Sequence, residues 1–298
     1  MKDIVIGCIT GYTFDKIKPW VNSLDQSGFD GVKAMVVYNV DYDTVEELVK
    51  RQYTVLALGK DDANKRFTYK QDFSIVVERF LHMWYFLKKL QGQYRYIIST
   101  DVKDVVFQTN PSKWLEENIG DKKINVACES IRYKDEEWGS ANLFKSFGPL
   151  VHDHNKDNLI YNAGTISGDF DTMLDVFLNI YMMCNAASGH YIEGGGGPDQ
   201  AALNIMLNME LYRWGTMFTS PSSGWVLHAG TSLPAIQAGS GGIGEEYLKN
   251  PKMNIDFIND LEYSTVDDIV HVDGKKVSVL HQWDRVPAWK DLVERKYA

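Results

Sequence analysis

"YRYIISTDVKDVVFQTNP", residues 94–111, is the stretch from which the rest of the chain can be read. An apolar, strand-like run ends on Asp101, Asp104 follows three residues later, and a second apolar run then begins. Carboxylates are rarely placed inside core-forming sequence without a partner. Asp101 directly follows the strand, so it stands at the carboxyl end, where open α/β sheets bind their ligands. Asp104 lies about one turn further on, and in a tight loop both side chains can face one point. Two unit charges about 4 Å apart repel by roughly 4 kcal/mol at an effective dielectric of 20. A divalent cation reverses that sign, and Mg²⁺ and Mn²⁺ favour carboxylate and phosphate oxygens. On these residues alone the alternative stays open, with Asp101 capping a turn and Asp104 on the surface.

Working outward, residues 3–10 (DIVIGCIT), 32–38 (VKAMVVY) and 54–59 (TVLALG) read as buried strands, with a helical segment, TVEELVKR, before the third. Strand, helix, strand, helix, strand predicts an α/β fold with a mainly parallel sheet flanked by helices. Residues 73–90 place Phe73, Val76, Val77, Phe80, Trp84 and Leu87 at three- and four-residue steps, the pattern of a long amphipathic helix. After the two aspartates, Asn110 can cap a helix that has Pro111 at its first position and Gly120 past its end. Residues 124–130 form another strand, and residues 161–170 a short one. Between residues 130 and 158 the chain is polar and aromatic with few regular signals. A glycine run, EGGGGP, leads into a helix that begins near Pro198. There is no internal repeat and no linker-like tract, so one domain over 1–298 is expected.

Bulk properties narrow the function classes. The 298 residues allow a sizeable core. A net charge of −9 argues against nucleic acid or an anionic membrane as the main partner. Cys8, Cys128 and Cys184 show no C-x-x-C spacing, and their odd number reads as buried thiols in a reducing compartment. The N-terminus lacks signal-peptide features, and no apolar run approaches the roughly 20 residues of a membrane span. A cytoplasmic location is therefore expected.

STDVKDVVFQTNP resembles the D-x-D-type motif of GT-A fold glycosyltransferases, the nucleotide-diphospho-sugar transferase superfamily, and in particular a subgroup with T-D-x-R-D-V-x-F-Q-x-N/D-P. Lys103 stands where that subgroup more often has arginine. Three further segments follow in the order such enzymes show: YNAGTISG resembles an F-N-A/S-G stretch, PDQAALN a D-Q-x-x-L-N segment, and VSVLHQWDR a late H-Q-Y-D-R stretch. The similarity spans residues 3–285. It implies a GT-A fold with a nucleotide-binding part over 1–110 and a sugar and acceptor part over 111–298. It also implies a metal-dependent glycosyltransferase of the hexosyltransferase type, using Mn²⁺ or Mg²⁺ and a UDP- or GDP-sugar donor. The acceptor would be a glycan, a protein or a small molecule. Likeness to glycogenin-like members leans toward retention.

The resemblance also implies roles for single residues. A late histidine completes the metal shell beside Asp101 and Asp104, and His281 fits the motif better than His228. Asp199 and Gln200 match the segment close to the transferred sugar, with Asn162 and Gly164 lining the sugar or acceptor pocket. Arg79 corresponds to an arginine that reaches the diphosphate or an acidic motif residue. The residues themselves add that Glu129 and Ser130 end a strand at the binding edge. Thr10, Gly11 and Tyr12 end the first strand, where nucleotide base and ribose are expected. Each has a plainer reading, as a cap, a turn or packing.

Rival functions are separable. Gly239, Gly241 and Gly244 form G-x-G-x-x-G, but the proline-containing SLPAIQ precedes them where a dinucleotide site needs a buried strand. A sugar nucleotidyltransferase should carry a glycine-rich, arginine-bearing loop after the first strand, which GCITGYTFDK does not supply. A non-catalytic carbohydrate-binding protein could use the aromatic residues, most of which fall at core spacing.

Overall fold

The computed structural model describes residues 1–70, 74–187, 197–239 and 260–298. The first half runs β1 (Lys2–Thr10), α1 (Phe14–Gln26), β2 (Val32–Tyr38), α2 (Tyr42–Lys50), β3 (Thr54–Ala57), the hairpin β4 (Lys60–Asp61) and β5 (Arg66–Phe67), α3 (Ile75–Lys88), β6 (Tyr94–Thr100), β7 (Val105–Phe107), α4 (Pro111–Asn118) and β8 (Ile124–Arg132). The second continues with α5 (Glu137–Asn155), β9 (Leu159–Asp169), α6 (Phe170–Ala186), α7 (Asp199–Asn208), α8 (Glu210–Arg213), β10 (Thr216–Thr219), β11 (Val226–His228), α9 (Leu233–Gln237), β12 (Tyr263–Val266), β13 (Ile269–Val272), β14 (Lys275–Lys276), β15 (Val279–His281) and α10 (Pro287–Tyr297).

Seven strands form the central sheet in the order β10-β8-β9-β6-β1-β2-β3. Its pairs are parallel except those of β9, which runs antiparallel to both neighbours. Near-continuous apolar runs such as IVIGCI make these strands because both faces of the sheet are covered. On one face Phe80 and Met83 of α3 pack with Phe177 and Ile180 of α6 and Leu203 of α7. On the other, Trp20, Val21 and Leu24 of α1 meet Val5, Val37 and Phe107.

A small sheet, β11-β15-β7, sits beside the large one. Residues 101–104 are the bridge between the two, leaving β6 in the first and starting β7 in the second. Both ends of the bridge are anchored. Trp20 Nε1 donates to Thr100 Oγ1 at 2.8 Å, and the Phe107 amide donates to Ser23 Oγ at 3.0 Å.

The α/β expectation and the first strands stand as read. Asn110 caps α4 by accepting from the Ser112 and Lys113 amides, with Pro111 at the first position. Two segments differ. Residues 137–155 are helical where few regular signals were expected, because Glu136 caps the N-terminus by accepting from the Trp138 and Gly139 amides. Gly148, at φ 83° and ψ 172°, breaks this helix just before Pro149, which splits its apolar periodicity into two short pieces. β9 is eleven residues long rather than short, and it lies between β8 and β6 in the sheet. Phe73, Gly241, Gly244 and the glycines at 194–196 lie outside the described residues. Gly239 follows a helix, α9, and not a strand.

Candidate active site

β15 decides the site's geometry. Its last residue, His281, pairs in register with His228 of β11 on one side and with Val105 of β7 on the other. That register sets the imidazole beside Asp104, the residue before Val105. The Gln282 amide, at φ 58°, donates to the Asp104 carbonyl at 2.7 Å and fixes the bridge. On the other side the Asp101 amide donates to the Gly164 carbonyl of β9 at 2.7 Å. His281 Nε2 lies 3.8 Å from Asp101 Oδ2 and 3.7 Å from Asp104 Oδ1, too far for hydrogen bonds. One ligand atom from each of the three residues falls within 4.8 Å of the others.

These residues fit a divalent cation. Two carboxylates and an imidazole each offer one ligand atom to such an ion. Gly164 lets the backbone of β9 pass close to two of these side chains, since a Cβ there would come within 2.6 Å of Asp101 Oδ2 and 2.8 Å of His281 Cε1.

Arg79 of α3 holds the other oxygen of Asp101 and donates to Asp199 Oδ2 at 3.1 Å. Burial works to raise the Asp101 carboxyl, but Arg79 and then His281 outweigh it and keep it below the usual carboxylate range. Asp104 has no such partner, and burial lifts it above that range. Burial also pushes Asp199 up to about 6, against the pull of Arg79. His228 stands behind His281, Nδ1 to Nδ1 at 2.9 Å, and its Nε2 is 3.2 Å from the Ala127 carbonyl. Burial and the neighbouring ring hold His228 well below the usual imidazole value.

A cavity of about 340 Å³ opens over this cluster. Thr10, Tyr12, Arg79, Asp101, Asp104, Asn162, Gly164, Asp199, Gln200 and His281 all line it, brought together from every third of the chain. Gly11 turns the chain beside Thr10, with φ +67° and its amide on the Tyr38 carbonyl. Glu129 is not a wall residue. It lies buried behind Asn162, whose Nδ2 donates to it, and burial pushes its carboxyl up to about 7. Asn162 Oδ1 accepts from the Gly164 amide at 2.6 Å, so Glu129, Asn162, Gly164 and Asp101 form one connected series. Of the two candidate histidines, His281 is the one facing the aspartates.

Sequence reasoning missed two wall residues in particular. Lys103, 3.8 Å from Asp284, was noted only as an arginine replacement. Trp138 was invisible because it belongs to the interrupted helix α5.

Comparison with protein-family models finds no match, and comparison with curated proteins finds none either. Among solved structures, the apo form of WbbM, a bifunctional glycosyltransferase, is similar over 99 % of this chain, with a TM-score of 0.57 and 14 % sequence identity. The chain spans 49 % of that protein's length. At this identity the likeness is one of architecture: the chain shares its mixed α/β fold, with its mostly parallel seven-stranded sheet, with a glycosyltransferase.

Proposed function

We propose that this protein is a metal-dependent glycosyltransferase that moves a sugar from a nucleotide-diphospho-sugar, a UDP- or GDP-sugar, to an acceptor. The observation that carries the reading is the convergence of Asp101, Asp104 and His281 under one cavity, from two sheets and a separation of 180 positions. These three residues would hold Mn²⁺ or Mg²⁺, which supplies Lewis-acid stabilisation of the departing diphosphate. Sugar transfer passes through an oxocarbenium-like state, by analogy with glycoside hydrolysis. Negative charge growing on the leaving group is what the site must absorb.

The chain's own residues divide that work. Arg79 keeps Asp101 ionised and turned toward the ion site. Lys103 adds a positive charge at the wall. Thr10, Gly11 and Tyr12 take the base and ribose, with the Tyr12 ring already carrying Lys16 Nζ over it at 4.9 Å from the centroid. Asn162, Gly164, Asp199 and Gln200 border the sugar. Retention is favoured over inversion because Asp199 and Glu129 are each tied to a neighbour, Arg79 and Asn162, and neither stands free as a base.

A panel of UDP- and GDP-sugars tests this by nucleotide release with and without Mn²⁺. Release should depend on the ion and fall at least about 100-fold in Asp101→Asn with Asp104→Asn, the scale lost when a charge-stabilising group is removed. Equal release by that variant, or indifference to the ion, overturns the reading. Glycan binding without any nucleotide release points instead to a carbohydrate-binding protein.

A further inference from the structure

His228 is fully enclosed and lines no part of the cavity, yet it is hydrogen-bonded to the histidine that faces the aspartates. Which nitrogen of each ring carries a proton follows from the partners. A carbonyl can only accept, so the contact with Ala127 puts a hydrogen on His228 Nε2. A neutral His228 then has its lone pair on Nδ1. The only donor at that atom's 2.9 Å contact is His281 Nδ1, which must carry the hydrogen. That leaves the lone pair of His281 on Nε2, the nitrogen 3.7 and 3.8 Å from the two carboxylates. Metal-ligating imidazoles commonly use the second nitrogen in this way, to fix ring orientation and tautomer.

We propose that His228 is a positioning residue: it relays the Ala127 carbonyl through to His281 and so presents the His281 Nε2 lone pair to the cation held by Asp101 and Asp104. The inference rests on the metal reading above. It goes beyond it in giving the buried histidine a task that packing alone does not require.

Three measurements test it. Mn²⁺ alone is titrated into the parent, Asp101→Asn with Asp104→Asn, His228→Phe and His228→Asn, without any nucleotide. In parallel, nitrogen NMR of ¹⁵N-histidine-labelled parent, recorded without metal, reads the His281 tautomer directly. The parent should bind Mn²⁺ and the aspartate variant should not. His228→Phe should bind about 10- to 100-fold more weakly, the usual cost of losing such a partner. His228→Asn, whose Oδ1 stands where Nδ1 does and can accept the same hydrogen, should keep most of the affinity. The spectrum should show His281 protonated at Nδ1 and bare at Nε2. Parent-like affinity in His228→Phe, or a His281 protonated at Nε2, overturns the relay while leaving the metal site standing. Equal Mn²⁺ binding by parent and aspartate variant removes both. Should His228→Phe fail to fold, the tautomer of the parent still decides.

Discussion

Gly164 carries no side chain because the space a methyl group would need is taken by Asp101 Oδ2, Asn162 Oδ1 and His281 Cε1, at 2.6, 2.7 and 2.8 Å. Under the proposed function, Gly164→Ala should weaken Mn²⁺ binding at least about 10-fold, as displaced ligand supports do. Its circular dichroism should stay that of the parent, since the crowding falls on the site. Unchanged Mn²⁺ affinity would show that the side chains crowded by the methyl group do not hold an ion. Glu129 makes a different argument at the same scale. Its carboxyl moves from 4.5 when exposed to about 7 when folded, because burial penalises the charge. The folded state therefore holds its proton more tightly, and the stability this gives is full below about pH 4.5 and is lost as pH rises to about 7. Glu129→Gln removes the titration but keeps an oxygen for Asn162. Thermal melts should find the variant more stable than the parent at pH 8, with the gap closing by pH 5. A gap independent of pH would mean that Glu129 does not titrate in this window.

Among elements, the run after Asp104 does more structural work than chemical. Gln108 is buried at the end of β7, donates to the Val270 and Val277 carbonyls at 3.2 and 2.9 Å, and accepts from the Val270 amide at 2.8 Å. Gln108→Leu takes the partner from the Val277 carbonyl and the Val270 amide, at about 1–3 kcal/mol for each one left unmet, while the Val270 carbonyl still accepts from the Val277 amide at 3.2 Å. Urea unfolding should show a loss of several kcal/mol with little change in slope; a loss below 1 kcal/mol would mean the groups find other partners. Gln108 shows why a motif can be legible while its meaning is not: the letters F-Q-x-N-P sit in a resemblance to catalytic sequence, but Gln108 and Asn110 serve the backbone. β1 and β2 were readable because strands buried on both faces leave unbroken apolar runs. α5 was not, because Gly148 and Pro149 cut its period, and Trp138 was hidden with it. Asp101 and Asp104 announced themselves as carboxylates at a strand end. The meeting of His228 with His281 did not, since it arises only from the pairing of β11 with β15, across 53 positions.

For the whole molecule, the central sheet draws β1, β2, β3 and β6 from the first 110 residues and β8, β9 and β10 from the remainder. The candidate site lies where the two groups of strands meet. A ligand that binds only the folded chain stabilises it by mass action, about 2.7 kcal/mol at 100 times its dissociation constant. Mn²⁺ should therefore raise the melting temperature of the parent, EDTA should reverse the rise, and Asp101→Asn with Asp104→Asn should show no shift. An equal rise in that variant would place the ion elsewhere. Among the described residues no helix is long and apolar enough to cross a membrane.

The bridge from β6 to β7 has one more consequence. Asp101 directly follows β6 of the large sheet and His281 ends β15 of the small one, so an ion held as proposed would rivet the two sheets together. Fastening works in both directions. Under the proposed function, whatever loosens β15 or the α10 segment behind it should slacken the grip on the ion, and a bound ion should slow the exchange of amide hydrogens across those same strands.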